Sequence, residues 1–498
     1  MLASPVIEHL PALQVVLPLM AAPACVLVAR ARVAWAIAQA VSTLALLIAA
    51  TLLARVLAGG TLSYALGGWA APWGIEYRVD ALNALVLVLV SGLSTVILPF
   101  AAASAAREIR PSRLYLFYAA WMLALAGLLG MTVTGDAFNV FVFLEITSLS
   151  TYVLVAIGRD RRALLAAFRY LVMGTIGGTF FLIGLGVAYG LTGTLNMADL
   201  AARLPAVAGT GAARVALGFL VVGLALKMAL FPLHAWLPNA YAYAPSAVSA
   251  MVAATGTKVA AYVLIRFLFG VFGADLAGTR MGIGEVLVPL GLAAALLASA
   301  VAIFQPNAKR LLAFSSIAQM GYIALGIGLF SVTGLTAAIV HLFNHALIKG
   351  ALFLALGCVY YRVGSVRVAD MAGLGRRMPW TMAGFTLAAL SLAGMPLTAG
   401  FVSKWYLVAA LLERGGWWMA ALVLATSFMA CIYLGRVIEA AYFRAPASER
   451  AARAVEAPAA MVVALWVLVA ANFWFGLETS LTAGIGRAVA SGFLGGAP

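Results

Sequence analysis

His341, His345 and Lys349 lie in the stretch "HLFNHALIKG", flanked on both sides by apolar runs. Spaced four apart on a helix, they stack along one face over about 12 Å of rise. Two imidazoles and an amine in such a column can pass protons, because each group can gain or lose one. The competing reading is a structural hydrogen-bond network between helices. A zinc site fits less well, since "HLFNH" has histidines at i and i+4 but lacks the glutamate of HExxH and any obvious third ligand nearby.

Other titratable groups are distributed in the same way. The chain has five lysines and twenty-six arginines. Four of the lysines, Lys227, Lys258, Lys349 and Lys404, fall inside long apolar stretches. Arginine stays charged at any accessible pH, whereas a buried lysine exchanges its proton readily. Glu145, in "FNVFVFLEITSLSTYVL", is the acid placed near the middle of an apolar stretch. A charge at the centre of a membrane helix costs about 2.5–3.5 kcal/mol on insertion scales. Such groups must pair, face water or titrate, and Glu145 is expected to pair with Lys227, either as a static ion pair or as a working one.

The elements that position these residues follow from composition. Of 498 residues, 65% are hydrophobic and 9% charged, against about 25% charged in soluble domains. The chain reads as an all-α polytopic membrane protein. Apolar windows place fourteen spans near 8–30, 32–57, 80–101, 114–132, 136–157, 164–190, 212–237, 244–270, 284–304, 310–330, 333–361, 381–413, 416–442 and 457–478. The opening "MLASPVIEH" carries an acid and no Lys or Arg, so the first stretch reads as a span rather than a cleaved signal peptide.

The net charge of +15 does not point to nucleic acid, because the arginines are spread over many short loops. Alternate loops are rich in basic residues: Arg30 and Arg32; Arg107, Arg110 and Arg113; Arg159, Arg161 and Arg162; Lys309 and Arg310; Arg362, Arg367, Arg376 and Arg377; Arg444, Arg450 and Arg453. By the positive-inside rule that side is cytoplasmic in a bacterial-type cell membrane, and an even number of spans puts both termini on the outer, periplasmic side. Cys25, Cys358 and Cys431 are isolated, which excludes a cluster held by this chain alone. No nucleotide-binding or nucleophile motif stands at a believable position, so no cofactor and no metal are expected.

Two spans carry breaks. Pro232 follows Lys227 in "LALKMALFPLHAWLP", and Pro396 and Gly400 precede Lys404 in "SLAGMPLTAGFVSKWYL". Proline removes a backbone donor and crowds the preceding turn, so both spans should kink or open. They are the fourth members of two five-span units, 114–270 and 284–442, set between an N-terminal part at 1–113 and a last span with a short tail at 443–498. Matched breaks suggest an internal repeat with ion sites at the breaks, inverted because five is odd. His234 falls near the first break. Gln319 takes the place in the second unit that Glu145 has in the first, where it can order water without titrating. Lys258, in "ATGTKVAAY", is flanked by small residues suited to close helix contact. Lys404 either works at its break or snorkels to an interface. The Gly-rich "MGTIGGTFFLIGLG" reads as a close-packing face.

The segments "DAFNVFVFLEITSLSTYVLVA", "KMALFPLHAWLPNAYAYAPSAVSAM", "NAKRLLAFSSIAQMGYIALGIG", "HLFNHALIKGALFLALG" and "GMPLTAGFVSKWYL" together resemble the antiporter-like subunits shared by Mrp-type Na+/H+ antiporters, respiratory complex I and membrane-bound hydrogenases, and the D subunit of the Mrp type above all. The likeness runs over roughly 110–410. It implies fourteen helices, two inverted five-helix repeats and a polar axis at mid-membrane. It also implies that Glu145 and Lys227 couple, that Lys258, His341, His345 and Lys349 relay protons, and that Lys404 ends the axis. Asn239 departs from relatives that often carry an acid there, and the chain ends soon after the last span, without the long lateral helix of the largest members.

The expectation is therefore a proton-translocating subunit of a multisubunit Na+/H+ antiporter, with other membrane subunits as partners and protons and a monovalent cation as cargo. Its rival is the proton-pumping subunit of a complex I-like NADH-quinone oxidoreductase or hydrogenase, whose flavin, clusters or nickel would reside in partners. An inert scaffold fits poorly with the placement of the lysines. A hard cation wants several oxygen ligands, which a lysine-rich axis does not offer, so sodium would be carried by a partner.

Overall fold

A computed structural model describes residues 5–495. Twelve helices among the described residues are long and apolar enough to cross a membrane: Leu10–Val28, Ala31–Gly59, Ala81–Glu108, Pro111–Val133, Ala137–Ala156, Arg162–Thr192, Ser246–Val271, Ile283–Ile303, Ala308–Gly328, Val332–Val363, Trp417–Phe443 and Ala459–Leu477. Two further apolar segments are broken. Gly211–Lys227 ends at the lysine and resumes as Leu237–Tyr243. The expected 381–413 span is Pro379–Ala393 followed, after a turn, by Ala399–Glu413.

The Val332–Val363 helix forms the centre. Every residue from Gly334 to Val359 is buried, because this helix packs against Ala81–Glu108, Ser246–Ala254, Ala308–Gly328, both halves of the second broken segment, Ala459–Leu477 and a terminal helix, Ser480–Leu494. That last helix stands where the sequence suggested only a short tail. By contrast, Leu164, Leu165 and Phe168 of Arg162–Thr192 are exposed, as suits a helix bordering lipid.

Helix starts are fixed by side-chain caps. Asp136 accepts from Asn139 N at 2.7 Å, and Asn307 accepts from Arg310 N at 3.1 Å, satisfying N–H groups that a helix start leaves free. Each cap also forms an isolated bridge with a later loop, Asp136 with Asn196 and Asn307 with Arg367. Two features at the end opposite the basic loops were not read from sequence. One is a hairpin of Leu62–Ala65 and Glu76–Val79, and the other is the short helix Met197–Val207.

The basic loops meet on one face. Ile109 bridges Gly158, Arg107 donates to the Tyr361 carbonyl, and Arg362 Nε donates to the Glu456 carbonyl at 2.8 Å. Burial of the Asp160 carboxylate opposes ionisation, but hydrogen bonds from the Arg162 side chain and backbone hold it below the usual carboxylate range. Lys309, counted with Arg310 among the basic loops, lies in the first turn of the Ala308–Gly328 helix. It is 3% exposed, and its Nζ donates to the Ala244 carbonyl at 3.2 Å and to Ser246 Oγ at 3.1 Å. Ser246 N and Oγ in turn donate to Glu108 at 2.9 and 3.1 Å, so a carboxylate and an amine share one hydroxyl.

A chain of buried titratable groups

Glu145 and Lys227 come from different helices and meet across them. Lys227 Nζ lies 3.3 Å from Glu145 Oε1 and donates to Ser148 Oγ at 2.7 Å. Their side chains are 8% and 26% exposed, the lysine being the more buried. Close packing makes the meeting possible. A Cβ on Gly223 would meet the Gly177 carbonyl oxygen at 2.7 Å, so the Arg162–Thr192 and Gly211–Lys227 helices touch backbone to backbone. The Gly-rich stretch thus serves as a packing face, and at Gly178 it also gives Glu145 its room.

Lys227 is the last helical residue before the first break. Beyond it, Trp236 Nε1 donates at 3.0 Å to the Leu226 carbonyl, which also accepts from Ala229 N at 3.1 Å. The Trp236 ring stacks on Tyr170 with centroids 4.0 Å apart. His234 lies in the opened stretch and is half-buried. Its ring stands against Phe231 and Phe314, and its Nδ1 has no protein partner.

Beside Lys227 lies a cavity of about 40 Å³, lined by Ser148, Tyr170, Lys227, Thr255 and Gly256 among others. A buried water needs roughly 10–15 Å³ on this measure, so two or three fit. The cavity borders the point where the Ser246–Ala254 and Gly256–Ile265 helices divide at Thr255, and Ala260 and Val263 beyond it also line the wall. Lys258 sits just past this division, fully buried, with Nζ donating to the Ala253 carbonyl at 2.5 Å and to Thr257 Oγ1 at 3.3 Å. The division was not read from sequence. Its signal was "ATGT", where small and β-branched residues interrupt a strong helix former.

The Gly256–Ile265 helix packs on the central helix. There Lys349 donates to the Leu312 carbonyl at 2.9 Å and to Ser315 Oγ. His345 is completely buried, and neither ring nitrogen has a protein partner. The rings of His345 and His341 stack with centroids 5.5 Å apart and planes within 11°. His341 Nδ1 pairs with Ser403 Oγ at 2.8 Å, while its Nε2 has no protein partner. Buried polar atoms are nearly always hydrogen-bonded, so this column calls for ordered water along its free nitrogens.

The column ends at the second break. Lys404 Nζ donates to the Leu392 and Ala393 carbonyls at 2.8 and 2.9 Å, where a helix terminus exposes carbonyls and the negative end of its dipole. Lys404 is 7% exposed and does not snorkel. Its ammonium also lies 5.6 Å from the Tyr322 ring. Asn344 Nδ2 donates to the Ala399 carbonyl at 2.7 Å, and Gly400 N donates to Ser391 Oγ at 3.3 Å. These bonds hold the opened backbone in place. Asn344, Ser391 and Ser403 were not picked out from sequence, since small polar residues in apolar runs are common.

Gln319 is buried, with its side-chain oxygen unpartnered by protein. Counted from the capping residues Asp136 and Asn307, the position matching Glu145 in depth is Ser316, so Gln319 lies about one turn deeper along its helix. Ser316 donates to the Leu312 carbonyl at 3.0 Å. Among the described residues, no three His, Cys, Asp or Glu side chains gather to hold a metal ion.

A multi-pass helical membrane protein whose broken helices carry buried lysines is the class this fold and chain of groups define. The family described as NADH:quinone oxidoreductase/Mrp antiporter, transmembrane, matches residues 134–430, and the chain belongs to it. The N subunit of the NADH-quinone oxidoreductase of Desulforudis audaxviator (strain MP104C) is 44% identical over 480 residues, covering 92% of this chain and 94% of that one. The D subunit of the Na(+)/H(+) antiporter of Alkalihalophilus pseudofirmus is 32% identical over 398 residues, covering 80% of this chain and 79% of that one. Among solved structures, a chain of the Mrp complex from Dietzia sp. DQ12-45-1b superposes with a TM-score of 0.89 at 27% identity, covering 98% of each chain. The protein is an antiporter-like integral membrane subunit of this family.

Proposed function

We propose that this chain is the proton-translocating subunit of a multisubunit monovalent cation/proton antiporter, working through Glu145, Lys227, Lys258, His341, His345, Lys349 and Lys404. The observation that carries the reading is a cavity wide enough for water that Lys227, the partner of Glu145, lines together with Thr255 and Gly256, the latter two residues before Lys258 in the chain. The 114–270 and 284–442 units act as inverted repeats in this reading. Supporting them are the matched caps, the bridges from each cap to a later loop, and a broken helix in each. Counting those broken helices as spans gives fourteen, with both termini outside and the arginine-rich face in the cytoplasm.

The mechanism is electrostatic. Two unit charges 4 Å apart interact by about 4 kcal/mol at an effective dielectric near 20. That equals about three units of proton affinity, at 1.36 kcal/mol per unit. When Lys227 leaves Glu145 for the cavity, its charge approaches Lys258 and favours loss of a proton there. When it returns, Lys258 reloads. Waters carry the proton past the stacked histidines, and charge at Lys404 signals to the neighbouring subunit. Other membrane subunits are its partners, and sodium, if exchanged, passes through one of them.

A second reading keeps this path and changes its energy source to electron transfer in a complex I-like assembly. The 44% identity to the N subunit of a quinone oxidoreductase, over nearly the whole chain, favours it. Gentle extraction from native membranes and mass spectrometry of the co-purifying chains separates the two. Small hydrophobic partners and a larger homologous subunit, with no redox protein, support antiport. Partners carrying flavin, clusters or nickel establish the redox-driven form.

A further inference from the structure

We propose that the Asp80–Arg266 ion pair is the outer gate of a proton exit serving Lys258 inside the first five-helix unit. The proposal rests on the reading of Lys258 as a proton carrier. Lys258, Tyr262 and Arg266 stand at i, i+4 and i+8, so they share one helix face over about 12 Å. Exposure rises along that face. Lys258 and Tyr262 are 0% and 2% exposed, while the side chains of Arg266 and its partner Asp80 are 15% and 24% exposed.

The polar contacts run in the same direction. The Tyr262 hydroxyl donates to the Thr132 carbonyl at 2.9 Å and accepts from Arg266 Nε at 3.0 Å. Arg266 Nη2 reaches Asp80 Oδ1 at 2.5 Å, on the same oxygen that caps the Leu82 and Asn83 N–H groups at 3.0 and 3.1 Å. Asp80 and Arg266 both line a cavity of about 330 Å³, with Asn83, Thr134 and Ala201 on its wall. This cavity lies at the end of the molecule away from the arginine-rich loops, beside the Met197–Val207 helix. The helix itself changes to wider π geometry from Arg266 to Val271, a distortion frequent at working sites.

Each group has a chemical role suited to an exit. Arg266 never gives up its proton, so it acts as a fixed positive barrier that keeps Asp80 ionised and repels a second cation. Tyr262 both donates and accepts. A proton that leaves Lys258 by this branch, rather than along the histidine column, adds through water to the Tyr262 oxygen as that hydroxyl, turned from Thr132, releases its own proton by way of water to the Asp80 carboxylate. Asp80 then yields the proton to water in the cavity, and Tyr262 and Asp80 return to their starting forms with one proton moved.

The test uses the whole complex in sealed membrane vesicles. Cys431 is the exposed cysteine of the three, so Cys431→Ser provides the background and Ala201→Cys places a thiol on the cavity wall. A bulky, membrane-impermeant, reducible thiol reagent is added to each side in turn. Reaction from one side only, an at least tenfold fall in proton transport, and recovery on adding reductant are the expected results. Complete labelling by mass with unchanged transport overturns the proposal, as does no reaction from either side. Tyr262→Phe, which keeps the ring and removes the bridging hydroxyl, is expected to slow transport at least fivefold with the complex intact, and wild-type transport in it counts equally against the exit. Lys227→Ala separates the levels. Full transport in that variant defeats the underlying reading, whereas its loss together with normal transport in labelled Ala201→Cys defeats the exit alone.

Discussion

Gly178 lies flush against Glu145, so that a Cβ at position 178 would stand 2.2 Å from Glu145 Oε1. The carboxylate therefore occupies space that any larger residue would claim. Gly178→Ala must turn Glu145 away from Lys227, and transport is expected to fall at least tenfold. Overpacking of this kind costs about 1–3 kcal/mol, so the complex should still assemble. Gly186, on the same helix, has open space at its Cβ position, and Gly186→Ala should leave transport unchanged. Proton flux measured side by side in vesicles decides, and equal flux in the two variants would remove Glu145 from the mechanism.

Lys227 holds two acceptors together, Glu145 Oε1 at 3.3 Å and Ser148 Oγ at 2.7 Å. Lys227→Ala should abolish transport while the protein still inserts and assembles. Ser148→Ala removes one neutral acceptor, for a net change of about 0.5–1.5 kcal/mol, and should slow transport several-fold without abolishing it. Wild-type flux in Lys227→Ala, with the variant protein verified in the membrane, would sink the proposed function.

Much of this arrangement was legible in the sequence because charge is costly in lipid. Glu145, Lys227, Lys258, Lys349 and Lys404 stood out as titratable groups in apolar runs, and Pro232 and Pro396 marked the opened helices. What stayed hidden depends on tertiary packing. Arg266 is four residues past Tyr262 and eight past Lys258, a spacing visible in sequence, but its partner Asp80 begins a distant helix, and nothing local joins them. Lys309 looked like a loop cation because it adjoins Arg310. Its burial depends on the approach of Ala244 and Ser246, distant in sequence, with Glu108 bound to the same serine. The division at Thr255 carries no proline, so it left a weaker mark than the other two breaks.

His341 keeps one ring nitrogen on Ser403 at 2.8 Å and the other free of protein. The serine fixes the ring orientation and sets which nitrogen faces the column. Ser403→Ala leaves a buried nitrogen unpaired, at a cost of about 1–3 kcal/mol, and should lower both thermal stability and transport. Ser403→Thr retains a hydroxyl and should recover most of both. Transport that stays at the wild-type level in Ser403→Ala while stability falls would make this contact structural only.

Lys404 tests whether the end of the axis needs a removable proton or only a positive charge. Its Nζ sits on the Leu392 and Ala393 carbonyls, and Gly394 follows with φ of 96°, a conformation that favours glycine. Lys404→Met removes both hydrogen bonds at a buried helix end, so stability and transport should fall together. Lys404→Arg keeps a cation beside the same carbonyls but cannot release its proton at any accessible pH. Arginine should therefore preserve assembly and most of the thermal stability, yet leave transport at least tenfold below wild type. If Lys404→Arg transports normally, the ammonium serves only as a cap on the broken helix, and the proton relay must end before it.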